Sequence, residues 1–153
     1  MKTVDEIELL AQERLDEANI LCDNEKYAGA FYLAGYSIEL MLKAKICKHF
    51  DIDNLFDEEC SIYGVSQVRR ALKTHDIAVL LIFSGLQSKL EDAKGDSRIL
   101  MQTYSRLFEA SGHCIWSEQL RYTLTGTPAP EDILTLMILL GHEEGLLKWI
   151  KKS

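Results

Sequence analysis

The sequence predicts an all-α protein, an antiparallel up-and-down bundle of four to five helices forming one domain over residues 1–153. Three observations carry this. Apolar residues recur every three or four positions along most of the chain. Only nine Gly and two Pro occur in 153 residues, too few for the frequent turns of an all-β domain. The stretch from Phe31 to Ala44 is apolar nearly all round, the mark of a helix covered on several sides.

The first helix is expected over about 4 to 22. Val4, Ile7, Ala11, Leu15, Ala18 and Cys22 form its stripe, widened by Leu10 and Leu21. Asp23-Asn24 ends it. The second, about 25 to 49, carries Ala28, Gly29, Ala30, Ala34 and Gly35, small residues that let neighbours approach closely. Each internal Gly costs about 1 kcal/mol of helix propensity relative to Ala, so close packing or backbone access must offset it.

Residues 50 to 66 read as a long acidic loop with at most one helical turn, since Asp51, Asp53, Asp57, Glu58 and Glu59 crowd together. Its Asp-x-Asp start lacks the rest of a calcium loop: Phe56 stands where Gly is needed and Ile62 where Glu is needed. A third helix is expected from Thr74 as N-cap, with Asp76 in its first turn, through Ile77, Leu80, Leu81 and Leu90 to Gly95. Asp96 can cap a fourth through Ile99, Leu100, Tyr104, Leu107 and Phe108, stopping near Gly112. Between His113 and Gly126 the pattern is irregular, with a possible turn from Trp116 to Tyr122. The last helix opens at Pro130 with Glu131 and Asp132 in its first turn and runs through Ile133, Leu136, Met137, Leu140, Leu147 and Ile150.

The net charge of −7 provides no global attraction to nucleic acid or anionic membrane, so any phosphate must meet a local cluster of cations. No stretch reaches the roughly 18 uninterrupted apolar residues of a membrane span. The early acids Asp5 and Glu6 argue against a secretory signal. Cys22, Cys47, Cys60 and Cys114 form no CxxC pair, so the expected setting is a reducing cytoplasm with idle thiols. No cofactor or metal is expected: the four His are widely spread, and His142-Glu143-Glu144 lacks a second His. Gly-rich phosphate loops and Gly-x-Ser-x-Gly are missing as well.

Glu39 and Lys43 sit on the most apolar helix at the favourable i, i+4 spacing. They are either an ion pair at its wet edge or part of a ligand groove. His75 opens the third helix, as a capping and packing residue or, beside Arg69, Arg70 or Lys73, as a general acid or base in phosphodiester chemistry. The catalytic candidates are Arg70 with His75 and Arg106 with His113, Arg-to-His spacings that could converge a phosphate clamp and a proton carrier. Arg121-Tyr122 could stack on or bind a phosphate ligand, or tie its loop to the bundle through Glu118 or Glu131.

The run Lys26-Tyr27-Ala28-Gly29-Ala30-Phe31-Tyr32-Leu33-Ala34-Gly35-Tyr36-Ser37-Ile38-Glu39-Leu40-Met41-Leu42-Lys43-Ala44 resembles the second helix of the HEPN domain, a small α-helical bundle. Thr74-His75-Asp76-Ile77 with Leu80-Leu81 is similar to the His-Asp-Leu start of that family's third helix. Leu120-Arg121-Tyr122 is similar to the Arg-Tyr pair before its last helix. The resemblance implies a homodimer with a groove for nucleotide or RNA, often encoded beside a minimal nucleotidyltransferase as a toxin–antitoxin partner. The groove residues it implies are Glu39, Lys43, His75, Arg121 and Tyr122. Catalytic members of that family cut RNA without metal through an Arg-x(4–6)-His motif near the last helices. Here the residues after Arg121 are Tyr122, Thr123, Leu124, Thr125, Gly126 and Thr127, with no His. The expectation is therefore a binding module without the usual ribonuclease motif; a metal-independent ribonuclease is the alternative. For the dimer, some of Phe31, Tyr32, Tyr36, Leu139, Leu146 and Trp149 are expected to await a second subunit.

Overall fold

The computed structural model describes residues 2 to 122 and 127 to 153, the side chains of 121 and 122 excepted. The described residues are helical, arranged as α1 (Val4–Asp23), α2 (Tyr27–Phe50), α3 (Val65–Ala71), α4 (Ile77–Phe83), α5 (Gln87–Asp96), α6 (Arg98–Leu107), a 3-10 turn (Glu118–Tyr122), α7 (Pro130–Gly141) and α8 (Leu146–Lys152). The all-α class is as predicted, but the segments are more and shorter than a bundle of four to five helices.

α1 begins where Thr3 Oγ1 accepts from the Glu6 amide, and it buries Val4, Ile7, Ala11, Leu15, Ala18 and Cys22, the predicted stripe. That stripe lies along α2. Ser37 of α2 donates to the Ala11 carbonyl at 2.7 Å, a buried hydrogen bond between the two helices. α2 is the central element. It touches α1, α4, α7, α8 and the 3-10 turn, and it is buried almost without interruption from Ile38 to Ala44.

The expected acidic loop holds more order than its charge implies. Arg69 of α3 is buried and donates from Nε to the Leu55 carbonyl (2.9 Å) and from Nη2 to the Asp57 carbonyl (2.6 Å). Leu55 and Leu72 are fully buried at either end of this clamp.

The expected third helix is two. Its apolar spacing runs on through Leu86 to Leu90, but Gly85 takes φ +75°, the left-handed region that favours Gly, and α4 stops there. The Asp76 side chain, rather than Thr74, caps α4 by accepting from the Ala78 and Val79 amides; Thr74 Oγ1 accepts from the Asp76 amide instead. Ser97 rather than Asp96 caps α6, which ends at Leu107 and gives way to a short turn closed by the Phe108–Cys114 bridge. The expected last helix is also broken: His142 turns to extended backbone (ψ 148°), and α8 starts after Gly145.

Of the six residues of which some were expected to await a partner, Phe31 and Leu146 are buried within the single chain, and Tyr32, Tyr36, Leu139 and Trp149 are half-buried. The apolar side chains left exposed include Leu134 and Ile138, one turn apart on α7.

Candidate functional site

Glu39 is the buried charge around which the site is built. Only 1% of it is exposed, on a helix whose neighbouring faces are apolar, and a carboxylate there needs partners. One oxygen, Oε1, serves two: Lys43 Nζ one turn on at 2.9 Å and His75 Nδ1 at 2.9 Å. The other, Oε2, is buried and has no hydrogen-bond partner among the described residues. Lys43 is itself buried, with its ammonium 5.8 Å from the centre of the Phe56 ring. The pair therefore sits under the surface rather than at a wet edge, and among the described residues Lys43 is not part of the cleft wall.

His75 reaches Glu39 because it precedes α4, which packs on α2. Its other nitrogen, Nε2, meets Glu118 Oε2 at 3.0 Å, from the 3-10 turn that also packs on α2. Lys43, Glu39, His75 and Glu118 thus form one chain of contacts. An imidazole can donate at both nitrogens only as the imidazolium, so both contacts are hydrogen bonds at once only in that form.

His75 and Glu118 open onto a cleft of about 450 Å³ whose wall includes Lys73, Asp76, His113, Cys114 and Trp116. Burial pushes the Cys114 thiol up to about 11, so it stands there as a neutral group rather than a nucleophile. Trp116 is the anchor of this wall. It is buried, stacks on Tyr32 with ring centres 6.1 Å apart, and donates from Nε1 to the Tyr32 carbonyl at 3.0 Å. Tyr36 continues the stack at 6.4 Å, and its hydroxyl pKa is raised by burial and by the nearby Glu39.

The arginines proposed as partners for histidine go elsewhere. Arg69 is spent on the loop carbonyls of Leu55 and Asp57, and Arg70 is exposed on α3. Arg106 donates to the carbonyl and side chain of Gln102 and lines a separate cleft with Ile115, Pro128 and Asp132. Among the described residues, neither Arg70 nor Arg106 lines the cleft that holds His75 and His113. The side chains of Arg121 and Tyr122 lie outside the described residues.

Two features escaped the sequence. In the sequence Glu118 reads only as a tie for Arg121, since nothing local links it to His75. The joint placement of His75 and His113 had no signal either, because His113 lies in the turn that replaces the end of the expected fourth helix. Among the described residues no group of three or more His, Cys, Asp or Glu side chains could hold a metal ion, and no helix is long and apolar enough to cross a membrane. No protein-family model, curated protein or solved structure matches this chain.

Proposed function

We propose that the chain is a HEPN-like helical module that works by binding: a homodimer whose cleft takes a nucleotide or RNA, or that docks a nucleotidyltransferase partner in a toxin–antitoxin-like pair. The observation that carries this reading is His75, held at Nδ1 by the buried Glu39 and turned with Nε2 towards a cleft that also holds Lys73 and His113. A buried carboxylate fixes the ring, so the imidazole meets a ligand without first losing rotamer freedom. Lys73 adds a local cation on a chain whose net charge repels anions at a distance. Binding is favoured over cleavage because Arg70 and Arg106 stand outside the cleft. For the dimer, Leu134 and Ile138 on α7 offer an exposed apolar strip that a two-fold partner could cover with its own.

The test is titration of a fluorescent single-stranded RNA oligonucleotide at low salt in EDTA, beside sedimentation. The expected result is saturable binding without cleavage, weakened about tenfold or more by Lys73→Ala or His75→Gln, the loss expected for one charge-assisted contact. Absence of binding by a well-folded wild-type protein overturns the nucleic-acid reading. A 17.4 kDa species at micromolar concentration overturns the dimer.

One observation favours a second reading, a metal-independent ribonuclease: His75 and His113 share a cleft. One imidazole could take the ribose 2′-hydroxyl proton while the other protonates the departing 5′-oxygen. Cleavage in EDTA that disappears with His75→Ala and with His113→Ala would put this reading first.

A further inference from the structure

We propose that the Glu118 carboxylate is an internal stand-in for the anionic group of a ligand, so that a phosphate monoester docks on His75 Nε2 by taking the place of Glu118. This deepens the binding reading above and rests on it. The two sides of the His75 ring are held very differently. On the Nδ1 side Glu39 is 1% exposed and already bound to Lys43, so that contact is part of the packed core. On the Nε2 side Glu118 is about one-third exposed and stands on a short 3-10 turn at the cleft wall. Only the second contact can be exchanged without opening the bundle.

The exchange is chemically balanced. A carboxylate and a phosphate monoester both present anionic oxygens, so Nε2 of His75 exchanges one anionic neighbour, 3.0 Å away in the closed state, for another. The charge inventory of the cleft gives the direction. With Glu118 in place, Lys73 faces two carboxylates, Asp76 and Glu118, which disfavour an incoming anion. With Glu118 swung out, Asp76 is the one carboxylate left among the described residues lining the cleft, beside Lys73, while Glu39 stays behind the ring on Nδ1. The closed contact therefore lowers apparent affinity by the fraction of molecules in which Glu118 is withdrawn, and removing its charge should remove that handicap. It also makes the cleft selective, because an uncharged ligand cannot replace what Glu118 gives the imidazole.

The experiment follows His75 ring signals by NMR during titration with 5′-AMP, with adenosine as the uncharged control, at constant pH and ionic strength. Glu118→Gln keeps the size of the side chain and removes its charge. It should bind 5′-AMP at least fivefold more tightly than wild type and leave adenosine unchanged, with the same gain for Glu118→Ala. Equal or weaker 5′-AMP binding by both variants, while wild-type binding still depends on His75, overturns the stand-in and leaves the cleft reading intact. If neither wild type nor the variants shift the His75 signals with 5′-AMP, and the RNA titration also fails, both readings fall.

Discussion

The Trp116 indole occupies the space that a side chain at Gly35 would fill. A Cβ built on Gly35 would lie 2.1 Å from Trp116 Nε1 and 2.2 Å from two neighbouring ring carbons, well inside contact distance. The ring is held there by its hydrogen bond to the Tyr32 carbonyl and its stack on the Tyr32 ring, so one helix position fixes the wall of the cleft.

Gly35→Ala should therefore destabilise the protein despite improving helix propensity. The propensity gain is about 1 kcal/mol. Expelling a buried Trp forfeits about 3 to 5 kcal/mol of packing, so a net loss of about 2 to 4 kcal/mol is expected. Chemical denaturation measures it, and red-shifted tryptophan emission should report the displaced ring. A variant as stable as wild type with unchanged emission would show that Trp116 can shift at no cost.

The small-residue run on α2 announced a close approach, but not what approaches. Local patterns cannot say that the visitor is an indole from a loop far along the chain. The same boundary separates the rest. The stripe from Val4 to Cys22 and the all-round apolar α2 were legible because burial is written into the periodicity of each helix. The breaks at Gly85 and His142 were not, because Phe83, Leu86 and Leu90 keep spacings of three and four across one and Leu140 and Leu147 a spacing of seven across the other. At the site, Glu39 and His75 could be singled out as polar residues in telling places. Their mutual contact and Glu118 depend on how α4 and the 3-10 turn dock on α2, which no residue spacing encodes.

Alkaline pH should destabilise the fold through two thiols. Burial raises Cys47 and Cys114 from the ordinary 9.0 to about 11. The unfolded chain loses those protons first, so their contribution is intact below about pH 9 and is lost as pH rises towards about 11. Tyr36, also raised by burial, acts in the same direction at the top of this range. Denaturation midpoints at pH 8.5 and 10.5 should fall less for Cys114→Ala than for wild type. Equal losses would exclude a raised thiol at this position.

Arg69 should prove structural. Its guanidinium is the shared donor for the carbonyls of Leu55 and Asp57, and Arg69→Met leaves both without it in a partly buried setting. At about 1 to 3 kcal/mol for each unsatisfied group, a loss of about 3 kcal/mol is expected, with faster amide exchange confined to residues 51 to 63. Ligand binding at the cleft should be unchanged, because Arg69 is not among the described residues that line it. A stable Arg69→Met protein that no longer binds RNA would place Arg69 in the site after all.

Glu39 and Lys43 should show strong energetic coupling. Lys43→Met removes the cation from a carboxylate that is 1% exposed and, among the described residues, leaves Oε1 with His75 and Oε2 without a hydrogen bond. Breaking a buried pair from one side costs about 3 to 5 kcal/mol, chiefly because the remaining charge stays desolvated. Adding Glu39→Gln removes that charge and keeps an acceptor for His75, so the double variant should regain about 2 kcal/mol over Lys43→Met. The alternative is that the pair contributes only through the cation over Phe56, a contact to the ring face worth about 1 kcal/mol. In that case Lys43→Met would lose little and the second substitution would add to the loss instead of reversing it. A double-mutant cycle in denaturant decides between them: the sign of the coupling tells whether the buried carboxylate or the ring is what Lys43 serves.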